Sequence, residues 1–390
     1  MKFTRAVAII GVGMTKFGAL KDKGLMDLLI ESSLKAMEDS KTTESEFSAV
    51  YVACMLDQTL NHLTGIASAL VDRLNLIPAA ADHIENGPAS GGSAIKNAFY
   101  AIASGACDLA LVVGGEKMTH ITAPGAVTSA VATITHHSAE RIHGVSLPSF
   151  AGLLTRAYME KYKVPKEWIT SIAVKNHKNG VNNPYAHFQK AITMEEAMKS
   201  PIIADPLQLY DICPVSDGGA AVVMCPAEIA KKYTDTPVLI TGVGQATDTH
   251  IIYEREDITV LKALQICSKQ AYTMAKKTPQ DMNVAELHDA FTILEAVESE
   301  DIGFFKKGEG AKAGYDGLTA IGGKIPINPS GGLKARGHPL GATGIAQVIE
   351  LVWQLRNEAG KRQVPNAQAG ITCNFGGFGN NILSILVERK

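Results

Sequence analysis

The chain has 390 residues, 46% hydrophobic and 19% charged, with 36 glycines. That length suits two or three domains, and that composition suits a large buried core. The 37 basic and 39 acidic residues leave a formal net charge of -2. This balance gives no reason to expect a nucleic-acid or membrane partner, and no apolar run approaches the ~20 residues that span a bilayer.

The first apolar run, residues 6–11, reads as a buried strand ending in glycines. It is too short for the core of a signal peptide and has no cleavage site, so a cytoplasmic protein is expected. Residues 25–40 have helical periodicity and 48–55 read as a second strand. The stretch 84–92 (IENGPASGG) reads as the end of a buried strand, a tight turn and a helix start, with the helix running over 90–104. Residues 109–115 form another buried strand. Continuous apolar strands alternating with helices predict α/β layers with the sheet covered on both faces.

Residues 119–214 break this rhythm. They hold six of the eleven histidines, several prolines and a polar segment over 176–187. They read as a long excursion covering a site, with helices over 149–163 and 193–199. The earlier order then returns. A strand over 237–244 parallels the first one, followed by a helix over 258–276 and a strand over 283–287. A glycine-rich turn at 337–344 leads into a helix over 344–356, and a strand over 369–377 ends in glycines. The order predicts two similar α/β halves. The first comprises residues 1–118 and 215–236, the second 237–390, and the excursion 119–214 lies between them.

Three stretches carry the chemistry. In residues 328–344 (NPSGGLKARGHPLGATG), glycines let backbone approach a ligand, and His338 is fixed between Gly337 and Pro339 at a helix entrance. An imidazole held there suits proton transfer. In residues 286–291 (ELHDAF), His288 emerges at a strand tip, where α/β sheets gather ligand-contacting groups. In residues 372–379 (TCNFGGFG), a strand ends with the Cys373 thiol, the Asn374 amide and the turn glycines Gly376 and Gly377. The six cysteines lie far apart without a CxxC pair, so reduced thiols and no zinc site are expected.

With the turn at 84–92, these motifs make the chain resemble the thiolase superfamily, most closely its archaeal and sterol-carrier-type branches. Residues 11–18 (GVGMTKFG), 114–118 (GGEKM) and 214–220 (PVSDGGA) extend the resemblance along nearly the whole chain. It implies an α/β thiolase fold: two stacked βαβαβαββ halves in five layers, with a loop-domain insertion that binds coenzyme A. It implies chemistry at the C–C bond beside a coenzyme A thioester, with coenzyme A as substrate or product, no bound cofactor and no metal. His338 matches the histidine that activates the nucleophile. His288 matches a position that helps hold an oxyanion, and Cys373 the acid/base cysteine of many thiolases. Asn374, Gly376 and Gly377 match the adjoining oxyanion turn. Candidates for coenzyme A contact are His143, Ser149, Phe150 and Ser330. A homodimer or larger assembly is expected.

The departure from the family is Pro88, which stands where the resemblance places the nucleophilic cysteine. Proline offers neither thiol nor N–H. Covalent catalysis loses its nucleophile there, and loss of an oxyanion donor costs roughly 10²–10³ in rate. Ser90 lies two residues on, aimed about 200° away on a helix, and is a poor substitute. The expected reaction is therefore an atypical one, such as retro-aldol cleavage or direct transfer between thioesters. Some thiolase-like proteins without the cysteine are aldolases that work with a small zinc-ribbon/OB-fold subunit, which makes such a partner possible here. The tyrosines those aldolases use have no match in this chain. The alternatives are a silent acyl-CoA-binding subunit of a heteromeric complex, and a nucleophile relocated to Cys373.

Overall fold

The octet Val7–Met14 (β1) is buried along its whole length. It contains two glycines because helix Leu25–Ser40 (α1) lies directly on it. A Cβ on Gly11 would stand 2.3 Å from the Ala36 carbonyl, and one on Gly13 2.3 Å from that of Ser32. The computed structural model describes residues 5–389. In chain order the first half continues with Ala49–Ala53 (β2), Ala80–Ile84 (β3), helix Ser90–Ser104 (α2) and Ala110–Glu116 (β4). Helices Leu147–Tyr162 (α3) and Lys166–Gly180 (α4) follow, and then strand Gly218–Pro226 (β5).

The second half repeats the device. Val238–Thr247 (β6) carries Gly242 and Gly244 under helix Lys262–Ala275 (α5). Cβ atoms there would meet the Ala271 and Cys267 carbonyls at 2.2 and 1.9 Å. Next come Val284–Glu286 (β7), helix Thr292–Asp301 (α6), helix Leu340–Arg356 (α7), and strands Ala369–Thr372 (β8), Asn374–Gly376 (β9) and Asn381–Arg389 (β10).

The main path of the sheet runs β3-β2-β4-β5-β1-β6-β10-β8-β7, with β9 paired to β10. Read outward from the β1–β6 seam, β5, β4 and β2 on one side correspond to β10, β8 and β7 on the other, and β3 has no counterpart on this path. At the seam Val7 faces Ile240 and Ile9 faces Val238, antiparallel. Helix α1 covers one outer face and α5 the other, while α2 and α7 pack together between the two halves of the sheet. This is the five-layer arrangement that the resemblance implies.

Several elements differ from the sequence reading. Strand β3 is an edge strand and partly exposed, not buried, because nothing pairs with its outer side among the described residues. Helix α7 starts at Leu340, four residues earlier than its glycines suggest. Helix α4 takes in the first part of the segment whose polarity reads as loop, as far as Gly180, and its polar face is buried: Asn176 donates to Asp289 and Glu295. The apolar side chains of α3 and α4 share one core with α5 and α6 of the second half. Among the described residues, no helix is long and apolar enough to cross a membrane.

Candidate active site

The site forms where the N-termini of α2 and α7 meet. Glycines make that approach possible. A Cβ on Gly91 would lie 2.8 Å from the Gly341 carbonyl, and one on Gly344 would lie 2.4 Å from the Gly92 nitrogen. Buried Glu116, at the end of β4, fixes the crossing. Its carboxylate accepts from the Met55, Leu56 and Gly341 N–H groups at 3.1, 3.0 and 3.0 Å. The neighbouring motif 214–220 has a structural role through Asp217, which accepts from Lys117 Nζ and the Met118 and Thr119 N–H groups at 2.8 Å each.

The turn before α2 is tightly stapled. Gly87 has φ 54°, a left-handed conformation that glycine tolerates. Ser90 is the first residue of α2. Its hydroxyl donates to the Gly87 carbonyl at 2.6 Å and accepts from the Asn86 N–H at 2.9 Å. It is thus occupied in closing the turn. Asn374 clamps the same turn from the second half, accepting from Gly92 N–H at 3.0 Å and donating to the Pro88 carbonyl at 3.2 Å. Pro88 is buried and lines a cavity.

His288 and His338 come together edge to face, with ring centroids 4.9 Å apart. Their hydrogen bonds fix opposite tautomers. The single Thr343 hydroxyl proton goes to the Pro339 carbonyl at 2.9 Å, so Thr343 Oγ1 accepts from His338 Nδ1–H at 2.7 Å. His338 Nε2 is left as an unprotonated base. His288 Nδ1 instead accepts the Phe375 N–H at 3.4 Å, which leaves Nε2–H as a donor. Burial, with the Arg336 charge added, holds His338 down to about 3. Burial, then His338 and then Arg336, holds His288 well below the usual imidazole value. Both rings are therefore neutral at pH 7. Arg336 itself is paired with Glu286 at 3.0 Å.

Both histidines line that same cavity, of about 160 Å³, with Pro88, Leu147, Phe291, Phe375 and Gly377. Its wall is otherwise largely apolar. Gly377 takes the left-handed region at φ 61°, and Gly376 sits tightly against the Asn381 and Asn86 carbonyls. Cys373 is absent from the cavity wall. It is fully buried in the core, and burial followed by the Glu298 charge pushes its thiol well above the ordinary value. Cys213 also lines the cavity, although no sequence motif marks it.

Of the coenzyme A candidates, His143 is exposed and Ser149 is half-buried, capping α3 through Ser146. Phe150 is buried against Phe378, ring centroids 5.5 Å apart. Ser330 is buried and donates to Glu286 at 2.8 Å. Among the described residues, no group of three or more His, Cys, Asp or Glu side chains is placed to hold a metal ion.

A two-half α/β fold whose paired helix N-termini converge on two histidines defines the class. Residues 7–228 match the family model "Thiolase, N-terminal domain", and residues 244–389 match "Thiolase C-terminal domain-like". The chain belongs to the thiolase family. It is similar to the acetyl-CoA acetyltransferase of Methanothermobacter thermautotrophicus, 45% identical over 385 residues, covering 99% of this chain and 100% of that protein. Sterol carrier protein 2 of Bos taurus is 34% identical, covering 95% of this chain and 70% of that protein. The solved structure "Ltp2-ChsH2(DUF35) aldolase" superposes with a TM-score of 0.84 at 25% identity, covering 98% of each chain.

Proposed function

We propose that this chain makes or breaks the C–C bond beside a coenzyme A thioester, by a route in which no acyl group is carried on residue 88. The observation that carries this reading is the histidine pair beside Pro88, one ring presenting a base and the other a donor into a single cavity. The 45% identical relative named acetyl-CoA acetyltransferase supports the substrate class. The superposition on a structure named an aldolase supports a route without an acyl-enzyme.

In a retro-aldol cleavage, His338 Nε2 takes the β-hydroxyl proton and the Cα–Cβ bond breaks. The electron pair moves into the thioester as an enolate, whose oxygen accepts from His288 Nε2–H. A proton then returns to Cα, giving a carbonyl compound and a shortened acyl-CoA. The same two groups serve direct transfer between bound thioesters. We place Pro88 at the family's nucleophile position, with Asn374, Gly376 and Gly377 as the frame of the turn rather than as proton carriers. Cys373 is left out of the mechanism because it is buried away from the cavity.

Coenzyme A is assigned to the face of the excursion around 143–150, where Leu147 and Pro148 reach the cavity. The unpaired edge of β3 supports a homodimer, for which gel filtration should give about twice 41.4 kDa. The naming of ChsH2(DUF35) beside Ltp2 in the superposing aldolase supports a partner subunit, for which we propose the small zinc-ribbon/OB-fold type. The free cysteines support a reducing, cytoplasmic setting. The halves 1–118 with 215–236 and 237–390, separated by 119–214, remain our domain assignment.

The test is turnover of β-hydroxyacyl-CoA and β-ketoacyl-CoA substrates by the purified chain, alone and with a partner subunit. Activity lost in His338→Ala while coenzyme A still binds supports the reading. Coenzyme A binding without turnover under any of these conditions favours the silent subunit, for which the absent residue-88 donor argues.

A further inference from the structure

Beside the catalytic cavity lies a second pocket of about 450 Å³, sharing residues 212–214 with it as a common wall. Its lining is chiefly apolar: Phe188, Ile192, Ile203, Leu209 and Tyr210. Three of these are left open at the mouth, Phe188 at 40%, Ile203 at 50% and Leu209 at 50% exposure. Lys334 also lines this pocket and is only 1% exposed. Its buried Nζ has no hydrogen-bond partner. An ammonium carries three donors, and burying all of them unmet is costly unless a ligand supplies the acceptor.

The nearby acids are already engaged. Asp211 accepts from Lys166 Nζ, the Thr292 hydroxyl and the Gln208 N–H. Asp289 accepts from Asn176 and from the Leu333 and Lys334 backbone N–H groups. His177, also in the wall, is held down to about 4 by burial and then by the Lys334 charge, so it brings no second cation at neutral pH. Lys190 is exposed. The pocket thus combines an apolar lining with one unmet buried ammonium.

We propose that this pocket binds an amphiphilic monocarboxylate, an organic acid whose hydrocarbon body lies on the apolar wall and whose carboxylate meets Lys334. A phosphate group fits less well, because it brings close to two charges and three strong acceptors to a single buried cation. The site is separate from the histidine pair and does not depend on the reaction assigned to it.

The test is calorimetric titration of octanoate into the full chain with coenzyme A saturating. Octanoate should bind, octanol should not, and Lys334→Met should weaken octanoate at least tenfold with coenzyme A binding unchanged. Octanol binding as well as octanoate would overturn the proposal, as would failure of octanoate to bind or equal binding by Lys334→Met. Octanoate binding that occurs only when coenzyme A is left out would assign the pocket to coenzyme A and also overturn it. If Lys334→Met fails to fold, the comparison of octanoate with octanol on the unaltered chain decides. None of these readings depends on turnover or on His338.

Discussion

The turn at 85–89 and the loop at 337–343 are the same device used twice. Each leads through glycine and proline into a central helix, and the two helices meet N-terminus to N-terminus. In the first half the device presents Pro88, whose carbonyl is clamped by Asn374 and whose nitrogen donates nothing. In the second half it presents His338 with its tautomer set by Thr343. The scaffold is equally well built on both sides, down to the serine and threonine that tie each turn. The difference teaches that the fold does not require a reactive group at its turns. The chemistry we propose rests on the second half, with the first half supplying an apolar wall.

The sharpest way to break that asymmetry is to remove the active side of it. His338→Ala should lower turnover by about 10²–10⁴, the usual worth of a positioned general base, with little change in coenzyme A affinity by calorimetry. An equal loss in KM and binding would mean that His338 merely shapes the cavity. The converse experiment puts a cysteine at residue 88, the position we assign to the family's nucleophile. Pro88→Cys should give an acyl adduct with acetyl-CoA, seen in the intact mass and mapped to residue 88, while the unaltered chain gives none. An adduct on the unaltered chain would place a nucleophile elsewhere, with Cys213 the first position to examine.

The shared scaffold can be tested at its tightest point. An added methyl on Gly344 would stand 2.2 Å from Asn374 Oδ1 and 2.4 Å from the Gly92 nitrogen. Gly344→Ala should cost about 1–3 kcal/mol by overpacking, read as a lower urea midpoint at unchanged slope. Gly105→Ala meets no neighbouring atom but sits at φ 84°, so it separates backbone strain from crowding. If both variants lose the same amount, close approach of the two helices is not what the Gly344 position demands.

Much of this was legible in the sequence, for identifiable reasons. The strands of β1, β4 and β6 are apolar runs with nowhere to go but a covered sheet. The likeness of β6 to β1 was legible in their shared apolar run and glycines, but the packing of helices on those glycines appears only in the fold. His338 and His288 were legible because glycine, proline and strand ends mark backbone turned toward a ligand. What was missed depends on partners far along the chain. Asn176 and Asn179 look like loop residues until Asp289, Glu295 and the Asn328 carbonyl receive them. The early start of α7 was hidden because Gly341 and Gly344 serve helix contact, not a turn. Cys373 looked reactive because a strand-end thiol carries no mark of which way its surroundings close. Its burial beside Glu298 appears only in three dimensions.

The last prediction concerns protons. His338 is held near 3 in the fold and titrates at about 6.5 when unfolded. Its folded value is depressed, so above pH 6.5 neither state takes up the proton and the contribution is complete. Between pH 6.5 and about 3 the unfolded chain binds a proton that the native chain refuses. Stability should therefore fall with falling pH in that window, by up to about 1.4 kcal/mol per pH unit for this group. His338→Gln should fall less steeply from pH 6.5 to 5, read as urea midpoints on both chains. On the activity side a neutral His338 predicts no loss of kcat/KM near pH 6.5, because the base is already unprotonated there. A kinetic acid limb centred at 6.5 that vanishes in His338→Gln would show that the imidazole is hydrated in the working enzyme, and that the active half of the device is less enclosed than the silent one.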